Sequence, residues 1–150
     1  MSEREYVTFR IGGQTFGVCV SEIHDVFRPS NMTPVPLASG EIAGVLNLRG
    51  RIVTAIDARS RLGLTPRNRS EVATLAIGVE RNGESFGLII DEIGDVIRLN
   101  DDNLEENPVN LDAIWVGVSR GVHRLEGRLL VIMDIDRMLV AGADETSAAA

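Results

Sequence analysis

Arg49 is the side chain of this sequence whose place most invites chemistry. It stands in Asn47-Leu48-Arg49-Gly50, a tight turn after an apolar run. A guanidinium projecting from such a turn can give a carboxylate two parallel hydrogen bonds, which an ammonium cannot match. A related segment later in the chain carries Glu126 at the same place, so the turn itself does not demand arginine. Asp25 is the other polar candidate. The remaining reactive groups fall short. The two histidines, His24 and His123, lie about a hundred residues apart and read as polar strand residues. Cys19 sits inside an apolar run and reads as a small buried group, not a nucleophile. The acidic stretch Asn100–Asn107, counted from Asp101 as a calcium loop, puts Glu106 where glycine is needed, so it reads as a solvated loop. There is no Gly-x-Ser-x-Gly, His-Glu-x-x-His, Gly-x-Gly-x-x-Gly or P-loop pattern. With no nucleophile, base and orienter to name, the expectation is no catalysis, no metal and no cofactor.

Composition narrows the field further. The 150 residues carry a net charge of −7, and all 15 basic residues are arginine. Without lysine there is no lysine Schiff base and no P-loop lysine. Scattered arginines on an acidic chain make no basic stripe for a phosphate backbone, and 4% aromatics make no base-stacking platform. Nucleic acid is therefore excluded as a partner. One cysteine allows no internal disulfide. No apolar leader and no run of 18 apolar residues is present, so a cytoplasmic chain without membrane insertion is expected.

The elements that must hold Arg49 are written twice. Phe16–Arg28 aligns with Phe86–Arg98 at an offset of 70, with 7 of 13 residues identical. Gly44–Val53 aligns with Gly121–Leu130 at an offset of 77, and each then runs to an aspartate, Asp57 or Asp134. Each copy opens with a hairpin, over Gly12-Gly13 or Asn82-Gly83, and closes with another, over Arg49-Gly50 or Glu126-Gly127. Ile52–Ile56 and Leu129–Met133 are apolar on both faces, which predicts strands buried on each side. Asp57 and Asp134 are expected to cap short helices over 57–63 and 134–141, ending at Gly63 and Gly142. Ser21 and Asp91 are expected to cap single turns. Residues 65–70 read as a polar loop and 141–150 as a frayed tail.

This is an all-β pattern. About five short strands per copy, over 6–63 and 75–140, predict two small barrels. A unit of some 60 residues is marginal alone, so the two should pack together, with Ile23 and Val26 of one copy facing Ile93 and Val96 of the other across a groove. The pattern leaves open whether the opening strand belongs to its own copy or pairs with the second.

These segments resemble the CheW family, the coupling proteins of bacterial chemosensory arrays. The resemblance runs from about Glu5 to Val140. It is carried by Phe16-Gly17 leading to Ile23-x-Asp25-Val26, by Gly44-Val45-Leu46-Asn47-Leu48-Arg49-Gly50-Arg51-Ile52-Val53 with Asp57 and Arg59, by Phe86–Asp91 through Asp95-Val96, and by Gly127–Leu130 to Asp134. The family often has glutamate where Asp25 stands and proline where Thr54 stands. The resemblance implies two packed five-stranded SH3-like β-barrels with short helices and no enzymatic activity. It implies three partners: the cytoplasmic tip of a chemoreceptor, the regulatory domain of a CheA-type histidine kinase, and other CheW-like proteins in rings. By position it places receptor contacts at Ile23, Asp25, Val26, Gly44, Asn47, Arg49, Gly50, Gly87, Ile93 and Val96, with bare backbone at Gly44 and Gly87 giving a helix close access. The same module serves flagellar, twitching or other outputs. A small-ligand sensor is the competing reading. It needs convergent polar groups around a deep groove, for which Arg49 and Asp25 are the candidates.

Overall fold

The computed structural model describes residues 3–29, 32–35, 42–64 and 75–139. Four apolar runs fold back on themselves over two-residue turns. β1 (Glu3–Ile11) and β2 (Gln14–Cys19) join at Gly12-Gly13, and β6 (Leu75–Arg81) and β7 (Glu84–Ile90) at Asn82-Gly83. β4 (Ile42–Leu48) and β5 (Arg51–Asp57) join at Arg49-Gly50, and β9 (Ser119–Leu125) and β10 (Arg128–Met133) at Glu126-Gly127. Positive φ at Gly12, Gly13, Asn82 and Gly83 is what a two-residue turn needs to match the twist of its strands. Two further strands, β3 (Asp25–Phe27) and β8 (Glu92–Asn100), follow the opening hairpins.

The ten strands form two five-stranded sheets, ordered β8-β1-β2-β10-β9 and β3-β6-β7-β5-β4. Each sheet comes round on itself through one two-bond bridge. Glu105, beyond β8, exchanges hydrogen bonds of 2.8 and 2.9 Å with Val122 of β9; Thr33, beyond β3, does the same with Val45 of β4. We name the barrel that contains β1 barrel I and the one that contains β3 barrel II.

Sheet membership crosses the sequence copies. The opening hairpin β1–β2 lies in barrel I, while β3, β4 and β5 of the same copy lie in barrel II. The second copy is divided the opposite way. The seams are parallel pairings, β10 with β2 and β5 with β7. The repeated Phe-Gly pair sits there for packing reasons. Phe16 and Phe86 point into a core shared by both sheets. Gly17 and Gly87 turn to the barrel interiors, where a β-carbon would press on Leu130 or overlap Phe27.

Three cores result. The shared one joins Phe9, Phe16 and Val131 of barrel I to Ile77, Phe86 and Leu88 of barrel II. The interior of barrel II holds Phe27, Leu46, Val53, Ala55, Ala76 and Ile89. That of barrel I holds Tyr6, Leu130 and Ile132 with Cys19 and Ile97 against them. The two interiors correspond position by position: Ala76, Ile89 and Phe27 match Tyr6, Cys19 and Ile97 at the first offset, and Val53 and Ala55 match Leu130 and Ile132 at the second. No helix among the described residues is long and apolar enough to cross a membrane.

The helices are short, as two turns of sequence allow. α1 (Ala58–Arg61) is capped by Asp57, whose Oδ1 accepts the Arg59 N–H at 3.0 Å, and Gly63 ends it at φ +70°. Residues 135–139 are helical, with Asp134 accepting the Arg137 N–H; Gly142 lies outside the described residues, as do 65–74 and 140–150. α2 (Ala113–Val116) was not signalled by periodicity; Asp112 caps it. Two expected details differ. Ser21 caps nothing: the 3-10 turn Val20–Glu22 has no side-chain cap, and the Ser21 hydroxyl meets Cys19 Sγ at 3.2 Å. Asp91 precedes a strand rather than a turn, and its carboxylate is taken by Arg59 and the Gly12 N–H. β10 is buried on both faces as read, but Ile52 of β5 is 65% exposed because it lies at the strand's outer end beside the turn.

Candidate functional site

Asn47 builds the turn that carries Arg49. Its Oδ1 accepts the Gly50 N–H at 2.9 Å, and both central residues have positive φ, +54° at Arg49 and +83° at Gly50. Among the described residues, Arg49 and Asn82 are the non-glycine residues with positive φ. Asparagine tolerates that region, whereas arginine carries steric strain there, of the order of 1–2 kcal/mol. Glu126, at the same place in the other copy, is not in this conformation; there Gly127 alone has positive φ, +79°. The hairpin and the Asn47 bond hold Arg49 in this conformation, and strain of this kind clusters at functional sites.

The Arg49 side chain is 77% exposed and lies 3.6 Å from Asp25 Oδ2. Asp25, in β3, is held from behind. It pairs with Gly78 of β6, where a β-carbon would overlap its carboxylate. Arg51 completes the rim. Its guanidinium donates to His24 Nε2 at 2.9 Å and to the Glu80 carboxylate. Arginine can only donate, so His24 presents Nε2 as an acceptor here. His24, Asp25, Arg49 and Arg51 line a cavity of about 240 Å³ at the mouth of barrel II, with Phe27, Val53, Val79 and Phe86 as its apolar floor. His24, Arg51 and Glu80 were not singled out from sequence. His24 and Arg51 lie inside the repeated segments, where a histidine facing Gly94 across the copies was the available signal. Glu80 carried none, because its approach to Arg51 depends on which hairpin pairs with β5.

The other expected contacts divide between the barrels. Val26, on β3, is 39% exposed, and Ile23, in the link before it, is half-buried against the shared core. Ile93 and Val96 lie on β8, 39% and 53% exposed. β3 and β8 each stand at one end of a sheet order. Gly44 and Gly87 are used differently from the close-access expectation. Both are buried. A β-carbon at Gly44 would lie 2.7 Å from the Thr33 carbonyl oxygen, and one at Gly87 would lie 2.8 Å from the Phe27 ring. The chain's own closing bridge and core occupy the room beside each, so both glycines serve the packing of the barrel.

A clamp joins the barrels nearby. Arg59, in α1, forks onto Asp91 through Nε at 2.9 Å and Nη2 at 3.0 Å, while Asp91 Oδ2 accepts the Gly12 N–H at 2.8 Å. At the other end of α1, Arg61 donates to the Arg137 and Met138 carbonyls. His123 is far from this chemistry in kind. It is buried in barrel I against the Tyr6 ring at 6.1 Å, and its Nε2 has no partner. Burial holds its pKa below the ordinary histidine value, against a smaller opposing pull from Asp101 and Glu105. Burial, followed by the 2.8 Å bond to Asp101, holds the Tyr6 hydroxyl protonated well above the usual range. Among the described residues no group of three His, Cys, Asp or Glu is placed to hold a metal ion.

Residues 5–142 match the family model for the CheW-like domain. The chain is 28% identical over 133 residues to the chemotaxis protein CheW of Rhizobium meliloti (strain 1021), covering 89% of this chain and 85% of that one. It is 29% identical to the chemotaxis protein CheW of Bacillus subtilis (strain 168), with the same coverages. Its fold superposes on the crystal structure of the scaffolding protein TtCheW from Thermoanaerobacter tengcongensis with a TM-score of 0.76 at 27% identity, covering 87% of this chain and 88% of that one. Duplicated barrels, an Asn-Leu-Arg-Gly turn and a match spanning nearly every described residue leave one assignment: the chain belongs to the CheW-like family of chemotaxis scaffold proteins.

Proposed function

We propose that this protein is a non-enzymatic cytoplasmic adaptor that couples the tip of a chemoreceptor to a CheA-type histidine kinase. The observation that carries the reading is the Arg49 turn. One copy of a duplicated hairpin holds an exposed guanidinium in a strained backbone conformation beside Asp25, and the other copy does neither. Folding needs positive φ at this place in the turn but not an arginine there, and partner recognition accounts for that choice of residue. A receptor tip is an amphipathic helical bundle, and such helices lay apolar positions on an apolar surface. Val26, Ile93 and Val96 supply exposed apolar area on β3 and β8, Ile23 flanks them, and Arg49 pairs with a receptor carboxylate. Asn47 and Gly50 act by shaping the turn, and Gly44 and Gly87 by shaping the barrel. The kinase domain and other CheW-like chains meet the barrel ends, and the pathway, flagellar or otherwise, is set by which receptor and kinase are present.

The test is reconstitution of a receptor fragment, a CheA-type kinase and this chain, with phosphotransfer from ATP as readout. Receptor control of the kinase should appear on adding the wild-type protein and be absent with Arg49→Glu. Truncating a charge contact that becomes buried in the complex costs about 2–5 kcal/mol of binding. Receptor control restored equally by both proteins would reject the role of Arg49.

A further inference from the structure

The geometry points to the mouth of barrel II as a binding site for a free α-amino acid with an apolar side chain. The cavity, about 240 Å³, falls below the 300–1,000 Å³ or so of pockets for drug-sized ligands, which suits a single residue. Its floor is Phe27, Val53, Val79 and Phe86, each at most 8% exposed. Its rim carries both signs of charge. Arg51 is engaged by His24 and Glu80. Arg49 is not fixed: its 3.6 Å approach to Asp25 is longer than a charge-assisted hydrogen bond of about 2.7–2.9 Å, and its side chain is mostly exposed. With the guanidinium largely in solvent and no close hydrogen bond, such a pair separates at little cost. A zwitterion satisfies both partners at once, its carboxylate on the Arg49 guanidinium, its ammonium on Asp25, and its side chain on the floor.

The duplication supplies an internal control. The corresponding mouth of barrel I keeps the frame but not the site. Thr8 stands where Gly78 does, and its hydroxyl donates to the Asp95 carbonyl at 2.7 Å across the opening. Gly94 replaces His24, Glu126 replaces Arg49, and Arg10 replaces Glu80. The cavity there is about 130 Å³. One mouth is open with arginine at its lip, and the other is narrowed with glutamate in that arginine's place, although Asp95 and Arg128 keep the charges of Asp25 and Arg51 and the barrel interiors behind them match.

The site shares Arg49 with the adaptor reading but does not rest on that reading, and its test uses the isolated full chain. Amide NMR titration with L-leucine should give saturable shifts at Asp25, Arg49, Val79 and Phe86. Leucinamide, which lacks the carboxylate, and 4-methylpentanoate, which lacks the ammonium, should each bind at least roughly tenfold more weakly. Arg49→Glu, at an exposed position, should weaken leucine binding by at least about tenfold with the rest of the spectrum unchanged. Gly78→Thr, which copies the narrowed mouth, should do the same. The proposal is overturned if leucine, valine and phenylalanine give no saturable shift by roughly 10 mM, if either analogue binds as well as leucine, or if Arg49→Glu binds leucine like the wild type. Should Gly78→Thr fail to fold, Arg49→Glu still decides. Leucine binding without receptor-controlled phosphotransfer would reject the adaptor reading alone.

Discussion

His123 occupies in barrel I the interior place that Leu46 occupies in barrel II. The Leu46 side chain completes an apolar core, whereas the imidazole is 3% exposed with Nε2 unpartnered. The folded protein resists protonating this ring, because burial lowers its pKa below the ordinary 6.5 or so. The unfolded chain therefore binds the extra proton first. Stability is full above that ordinary value and is lost as pH falls through it toward the folded value.

Replacing His123→Leu copies the other barrel. We expect it to stabilise the fold by about 1 kcal/mol at neutral pH, since a buried unsatisfied polar group costs about 1–3 kcal/mol, and to gain more at about pH 5. Urea denaturation of both proteins at the two pH values checks this. An unchanged pH slope in the variant would assign the acid sensitivity to another group.

The strain at Arg49 separates stability from binding. Arg49→Gly relieves the left-handed backbone and should leave the fold as stable as the wild type or up to about 1 kcal/mol more so. The same variant should lose receptor-controlled phosphotransfer. Thermal melts set beside the phosphotransfer assay measure both, and a clear loss of stability in Arg49→Gly would show that the turn needs its arginine for folding.

The Arg59–Asp91–Gly12 clamp ties α1 of one barrel to the opening turn of the other. Asp91→Ala removes an acceptor shared by a guanidinium and a backbone N–H. A cost of about 1.5–3 kcal/mol is expected, the range for hydrogen bonds to charged groups. Amide exchange at Gly12 should accelerate. Unaltered protection there would mean that other contacts hold the turn.

Gly44 tests whether a glycine faces a partner or its own barrel. A methyl group at Gly44→Ala meets the Thr33 carbonyl, so the closing bridge must shift, at about 1–3 kcal/mol for overpacking. Exchange protection at Thr33 and Val45 should fall. A variant of wild-type stability that fails only in receptor coupling would return Gly44 to the contact surface.

Much of this was legible because turn chemistry is local. Gly-Gly, Asn-Gly and Arg-Gly between apolar runs fix two-residue hairpins wherever they stand, and the 70 and 77 offsets show that the set occurs twice. Which hairpin joins which barrel was not legible. The Phe16-Gly17 and Phe86-Gly87 edges present the same shapes, so either could seat against β5 or β10 and bury equivalent side chains. The Arg51–Glu80 bond follows from that choice and was hidden with it. Arg49 was legible through its difference from Glu126, whereas its backbone strain, which sets the two turns apart physically, leaves no trace in residue spacing.

The exchange of hairpins bears on how the molecule can be taken apart. Severing the chain between Leu64 and Leu75 would release no self-sufficient half: the leading fragment would carry two strands of one sheet and three of the other, and the trailing fragment the converse. Neither piece has a finished hydrophobic interior until it meets its complement. The fold is therefore suited to a split-protein reporter, in which recovery of structure reads out the meeting of two separately made segments.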